Sequence, residues 1–105
     1  MASAYAFVVA AGENISFEVA LKTKPDNFVW LKDDKPLDQD AIMTGRIQIS
    51  HCDETNHYKI DINKAHVEDS GYYTALATGT HGTASCSALL IVHESTNLRI
   101  RRTLF

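Results

Sequence analysis

The stretch Asp69-Ser70-Gly71-Tyr72-Tyr73-Thr74-Ala75-Leu76-Ala77-Thr78-Gly79 decides the fold class. Behind Gly71 the residues alternate. Tyr73, Ala75 and Ala77 fall on one side, and Tyr72, Thr74, Leu76 and Thr78 on the other. A period of two sends successive side chains to opposite faces of an extended chain, whereas a helix returns every 3.6 residues. This segment is a strand, and Gly71 gives the turn that opens it a position without a Cβ.

The same alternation recurs in the segments on either side. Ile15, Phe17, Val19 and Leu21 share one face of Asn14–Leu21, and Tyr58, Ile60 and Ile62 one face of His57–Asn63. Cys86, Ala88, Leu90 and Val92 alternate with Ser87, Leu89, Ile91 and His93. Turn chemistry separates the runs, at Ala11-Gly12-Glu13, Lys24-Pro25-Asp26-Asn27, Asp33-Asp34-Lys35-Pro36, Asp53-Glu54-Thr55-Asn56 and Gly79-Thr80-His81-Gly82. The strands expected are Ala6–Ala11, Asn14–Leu21, Asn27–Lys32, Arg46–His51, His57–Asn63, Gly71–Gly79 and Thr83–His93, with a stub near Leu37. Short strands at this spacing without a convincing helix indicate an all-β sandwich or barrel.

The chain has 105 residues, enough for one domain, and 45% of them are hydrophobic, enough for a core. A net charge of -3, with cations scattered except at the C-terminus, gives no basic stripe for nucleic acid. No apolar run is long enough to cross a bilayer as a helix, and the N-terminus lacks the pattern of a signal peptide, so no membrane role is expected. The piece could still be cut from a longer protein.

Several residues then fall into a recognisable order. Gly12-Glu13 opens a strand that ends in Phe17-Glu18-Val19. Trp30-Leu31-Lys32-Asp33 and Lys35-Pro36-Leu37 follow, then Asp69-Ser70-Gly71-Tyr72-Tyr73, Ala77-Thr78, Gly82 and Ala88-x-Leu90-x-Val92. This order resembles the intermediate-set (I-set) immunoglobulin family over residues 6 to 93. The resemblance implies a two-sheet Greek-key sandwich over 1–93, followed by a tail at 94–105. It implies Trp30 between the sheets, Tyr73 as a tyrosine corner bonding the preceding turn, and an Arg46–Asp69 ion pair closing one end. All of these roles hold the fold and carry no information about partners.

The family places its inter-sheet cysteine pair at the positions of Val19 and Ala75, which here cannot bridge. Loss of such a bridge costs about 2–5 kcal/mol, and a domain living without it belongs to a reducing compartment. Cys52 and Cys86 would lie in different sheets and are expected to be free thiols. I-set domains without the bridge are typical of the giant intracellular muscle proteins. The sequence looks like those of titin, twitchin, obscurin, myomesin and myosin-binding protein C, most of all like titin over Gly71–Val92.

Chemical motifs are weak. His51-Cys52-Asp53-Glu54 with His57 gathers metal-capable side chains, but on a hairpin with alternating facings, so a solvated loop is expected and no metal or cofactor. Ser50, His51 and Asp53 are adjacent in sequence, and adjacency does not make a catalytic triad. Asn14-Ile15-Ser16 matches a glycosylation sequon, which would matter only in a secreted chain.

Two features remain. If Trp30 and Tyr73 face inward, Val29, Leu31, Tyr72, Leu76, Leu89 and Ile91 face outward. In the family topology they would form one contiguous apolar face. That face is either a partner surface or one covered by neighbouring Lys and Thr side chains or an adjacent domain. The tail Asn97-Leu98-Arg99-Ile100-Arg101-Arg102-Thr103-Leu104-Phe105 alternates apolar residues with Arg. It is either a linker or a segment that adds as a strand to a sheet edge.

The expected function is that of a non-catalytic structural and protein-binding module of a cytoplasmic sarcomeric or cytoskeletal scaffold. Its partners would be other protein domains, such as neighbouring immunoglobulin or fibronectin-type modules, or a second copy. The alternative is an extracellular adhesion or receptor domain, which would call for a formed disulfide or a sugar on Asn14.

Overall fold

The computed structural model describes residues 4–94. The expected C-terminal tail, from Ser95 on, lies outside the described residues. Eight strands run in the order β1 (Ala4–Ala10), β2 (Ile15–Ala20), β3 (Asn27–Lys32), β4 (Lys35–Pro36), β5 (Ile47–Cys52), β6 (His57–Ile62), β7 (Gly71–Gly79) and β8 (Gly82–His93). They form two sheets, one ordered β1-β8-β7-β3-β4 and the other β2-β6-β5. The chain crosses between sheets after β1, β2, β4 and β6, which gives the Greek-key winding expected.

β3 and β7 have the bounds read from the sequence, and they pair antiparallel with Trp30 opposite Ala75. Each remaining long strand differs from its expected bounds by a residue or two. Alternation could not show that β1 pairs parallel to β8, with Ala4 opposite Ser87 and Ala10 opposite His93. The stub near Leu37 is β4, and two residues connect it to β3. These are Asp33 and Asp34, both at positive φ, which suits the right-handed twist of a tight hairpin.

One helix was not foreseen. α1 (Gln39–Met43) follows Asp38, whose carboxylate accepts from the backbone N–H of Asp40 at 3.0 Å. Five residues are too few to show a 3.6 period, so only the capping aspartate and Gly45 behind the helix announce it. α1 turns Ala41 into the core beside β5.

The core lies between the sheets. Phe17, Ile47, Ile60 and Ile62 come from the smaller sheet, and Trp30, Tyr73, Ala75, Leu90 and Val92 from the larger. Trp30 is buried as expected and meets the ring of Phe28 edge-on at 5.5 Å. Its indole N–H finds no acceptor among the described residues, a cost that the ring's packing must offset.

Candidate protein-interaction surface

The end of the sandwich near β7 is closed by a charged cap. Arg46 grips Asp69 through two bonds, Nη1 to Oδ2 at 2.6 Å and Nη2 to Oδ1 at 3.1 Å. The backbone N–H of His66 donates to the same carboxylate at 2.7 Å. Burial alone would push the Asp69 carboxyl up. The three donors outweigh it and hold the group below the usual carboxylate range. Arg46 is raised in turn, chiefly by its hydrogen bonds to Asp69.

The Tyr73 hydroxyl donates to the Asp69 carbonyl at 2.6 Å, forming the expected corner, and burial keeps its phenol well above the ordinary tyrosine value. Gly71 has a second reason to lack a side chain. A Cβ there would meet the Asp33 carboxylate at 2.7 Å, and that carboxylate already accepts from the backbone N–H of Tyr72 at 2.9 Å. Sequence reasoning missed this role of Asp33.

Val19 and Ala75 occupy the positions expected for the family's cysteine pair. Ala75 is buried, and Val19 is half-buried against the core. Cys52 closes β5 in one sheet and Cys86 lies on β8 in the other, and they are not bonded.

The six residues of the outer face do point outward. Val29, Tyr72 and Ile91 are exposed by 43, 53 and 41%, and Leu31, Leu76 and Leu89 are half-buried. No outward rung across β3, β7 and β8 is apolar throughout. The register sets Val29 beside Leu76 and Ser85, and Leu31 beside Thr74 and Ser87. The Thr74 and Ser87 hydroxyls bond at 2.8 Å, so a polar rung crosses the sheet. Beyond it Tyr72 stands beside Leu89 and Ala6, and Ile91 beside Val8. Leu31 and Leu76 therefore stand diagonally, not side by side, and Ile91 lies apart beside Val8, a different arrangement from the one read from alternation. Alternation fixes the side on which a residue lies, while strand register fixes its neighbours. Val8, exposed by 63%, is the face residue that sequence reasoning missed, because its place depends on the parallel pairing of β1.

Elsewhere the chemistry is sparse. His51 Nε2 lies 3.3 Å from an Asp53 carboxylate oxygen, and the imidazole stacks on Tyr58. Among the described residues no three metal-capable side chains are grouped to share an ion. No described helix is long and apolar enough to cross a membrane. The side-chain carbonyl of Asn14 accepts from the backbone N–H of Lys64 at 2.9 Å, a structural bond within the sequon.

The family model for the immunoglobulin I-set domain matches residues 2–92. The chain is an I-set immunoglobulin domain. Its likeness extends to muscle proteins. The I-set domain is 34% identical over 83 residues to the muscle M-line assembly protein unc-89 of Caenorhabditis elegans. It is 32% identical over 91 residues to the striated muscle preferentially expressed protein kinase of Danio rerio. These matches cover 79 and 86% of this chain but 1 and 3% of the relatives, so the kinase in the second relative's name belongs to that protein. Among solved structures, the titin M3 domain matches with a TM-score of 0.72 at 33% identity, over 86% of this chain and 88% of that one. Titin domains z1z2, solved in complex with telethonin, match with a TM-score of 0.73 at 26% identity, over 87 and 45%.

Proposed function

We propose that this I-set domain is a non-catalytic structural and protein-binding module of a muscle scaffold, working in the reducing cytoplasm of the sarcomere or cytoskeleton. The observation that carries this reading is a complete I-set frame in which Val19 and Ala75 replace the bridging pair, together with kinship to muscle assembly proteins. The core and the Arg46–Asp69 cap hold the two sheets together without a covalent tie. The parallel pairing of β1 with β8 gives the module a mechanical design. Tension on the termini would load the seven register pairs from Ala4–Ser87 to Ala10–His93 together.

The exposed apolar residues Tyr72, Ile91 and Val8 supply an adhesive surface for a neighbouring protein domain, and the similar titin domains z1z2 form a complex with telethonin. The adhesion or receptor alternative calls for a bridge, and Cys52 and Cys86 lie unbonded in different sheets.

Stretching a tandem array of the domain tests the load-bearing role. The expected trace shows one cooperative rupture per module, with the same length gain in reducing and non-reducing buffer. Gradual extension without ruptures would refute the role. A gain shortened by about 12 nm in non-reducing buffer alone, the chain locked between Cys52 and Cys86, would refute the bridge-free state.

A further inference from the structure

The four long strands of the larger sheet carry no formal charge on their outer face. β1, β3, β7 and β8 contain one Lys, Arg, Asp or Glu between them, Lys32. It lies at the end of β3 opposite inward-facing Tyr73, and its ammonium donates to the Glu68 carbonyl. The smaller sheet differs. Its outward positions include Glu18 on β2, opposite Lys59 on β6, and Asp61 opposite Ser16. Charged residues make up 22% of the chain, so the uncharged face departs from the rest of the surface. Free protein surface mixes both signs, whereas loss of charge marks the centre of an interface and a polar rim surrounds it. Here charge returns at the rim, at Asp33, Asp34 and Lys35 in and after the turn that follows β3, and at Glu94 after β8.

We propose that a second copy of this chain packs face to face on these four strands. The proposal rests on the reading of this face as adhesive and names what covers it. Composition selects the partner. A carboxylate or ammonium brought onto the face would be buried with no counter-charge. The surface that fits is itself uncharged, and the chain supplies one. The pattern of rungs is also its own complement. Thr74 and Ser87 form a hydroxyl rung across the middle. Along the strands, Val8, Ile91, Leu89 and Tyr72 lie on one side of it, and Val29 and Leu76 on the other. A two-fold axis lying in the interface through that rung sets hydroxyls on their copies and apolar residues on apolar residues. This holds whether the axis runs along the strands or across them. Each hydroxyl both donates and accepts, so identical rungs satisfy each other directly or through water.

The dimensions fit a weak dimer. From Val8–Ile91 to Thr78–Thr83 the rungs span about 27 Å, and the four strands about 19 Å, at ordinary sheet spacings. That outlines about 500 Å² on each copy and roughly 1,000 Å² in the pair, the lower bound for a specific interface. The net charge of -3 opposes association little, because the charges lie off the face and physiological salt screens them beyond about 8 Å. The chain enters at Ala4 and leaves at His93, at opposite ends of the β1–β8 pairing. The face lies along the side between them, so the dimer joins two molecules laterally and leaves both chain ends free to carry load.

Sedimentation velocity of the full chain at physiological salt, from about 5 to about 500 μM, covers the range in which so small an interface populates a dimer. The wild type is expected to pass from monomer to dimer across it. Gln48→Lys, which adds a cation on the outer face of the smaller sheet opposite Asp61, should behave as the wild type does. Tyr72→Lys and Val8→Lys should move the passage at least tenfold higher in concentration, with thermal melts close to that of the wild type. Both positions are more than half exposed, so either variant serves if the other folds poorly. A wild type that stays monomeric throughout would overturn the second copy alone and leave the adhesive face to a different domain. Dimers that Tyr72→Lys and Val8→Lys form as readily as the wild type would put the contact elsewhere, and would overturn both the proposal and the adhesive reading.

Discussion

At the scale of single residues, the strongest claim concerns Asp69. Its carboxylate takes three hydrogen bonds, two from Arg46 and one from the His66 backbone, and no substitute for it is at hand. Removing one member of a buried pair strands the other, at a cost of about 3–5 kcal/mol. Arg46 retains some contact with solvent, which places Asp69→Ala near the lower end of that range. Urea unfolding should therefore show Asp69→Ala far less stable than Asp26→Ala, an exposed change. Equal midpoints would remove the pair from the account. Asp61 makes a poorer control than its solvent-facing position suggests, because Ser16 donates to it. The same carboxylate sets a pH dependence. Its folded pKa lies below the unfolded value of about 3.9, so the pair's contribution is complete above roughly pH 5. It is lost as pH falls through the folded pKa. The stability gap between the wild type and Asp69→Asn should be flat from neutral pH to about 5 and narrow below it, as followed by denaturant titrations at each pH. A gap that narrows as pH rises instead would reverse the assigned shift.

At the scale of elements, alternation showed much of the structure but not all of it. Trp30, Tyr73 and Ala75 went inward, and Val29, Tyr72 and Ile91 outward, as their parity required. Parity is a property of one strand read alone. The polar rung of Thr74 and Ser87 and the Val8–Ile91 neighbourhood are properties of strand pairs. They depend on register and on the parallel course of β1, which no local pattern records. α1 escaped for a different reason, since one and a half turns carry no period. The split face also changes which substitution tests it. Leu76 is half-buried beside Val29, so a glutamate there would disturb packing as well as binding. Ile91, more exposed and beside Val8, is the cleaner probe. Burying such a side chain in a partner contributes about 1.5–3 kcal/mol. Ile91→Glu should weaken self-association or partner binding at least tenfold with little change in Tm, as read by a light-scattering concentration series beside a thermal melt. Unchanged association would make this face ordinary surface.

At the scale of the whole molecule, the order of Trp30, Asp69, Gly71 and Tyr73 was enough to name the family, and the family model spans residues 2–92. The sandwich then poses one physical question: what holds two sheets together once the usual bridge is gone. The buried cluster from Phe17 to Val92, the Tyr73 corner and the Arg46–Asp69 cap answer it without sulfur. Restoring the bridge tests the positional reading. Val19→Cys with Ala75→Cys should form a disulfide in oxidising buffer and add about 2–4 kcal/mol, which reductant removes. Two titratable thiols at those positions after oxidation would show that they do not face each other. The most direct test of the bridge-free sandwich needs no substitution. Urea unfolding of the unaltered chain, followed by Trp30 fluorescence, is measured with and without reductant. The account predicts one cooperative transition with the same midpoint in both. A midpoint that falls on reduction, with the unfolding free energy lower by the ~2–5 kcal/mol of a lost native disulfide, would contradict it.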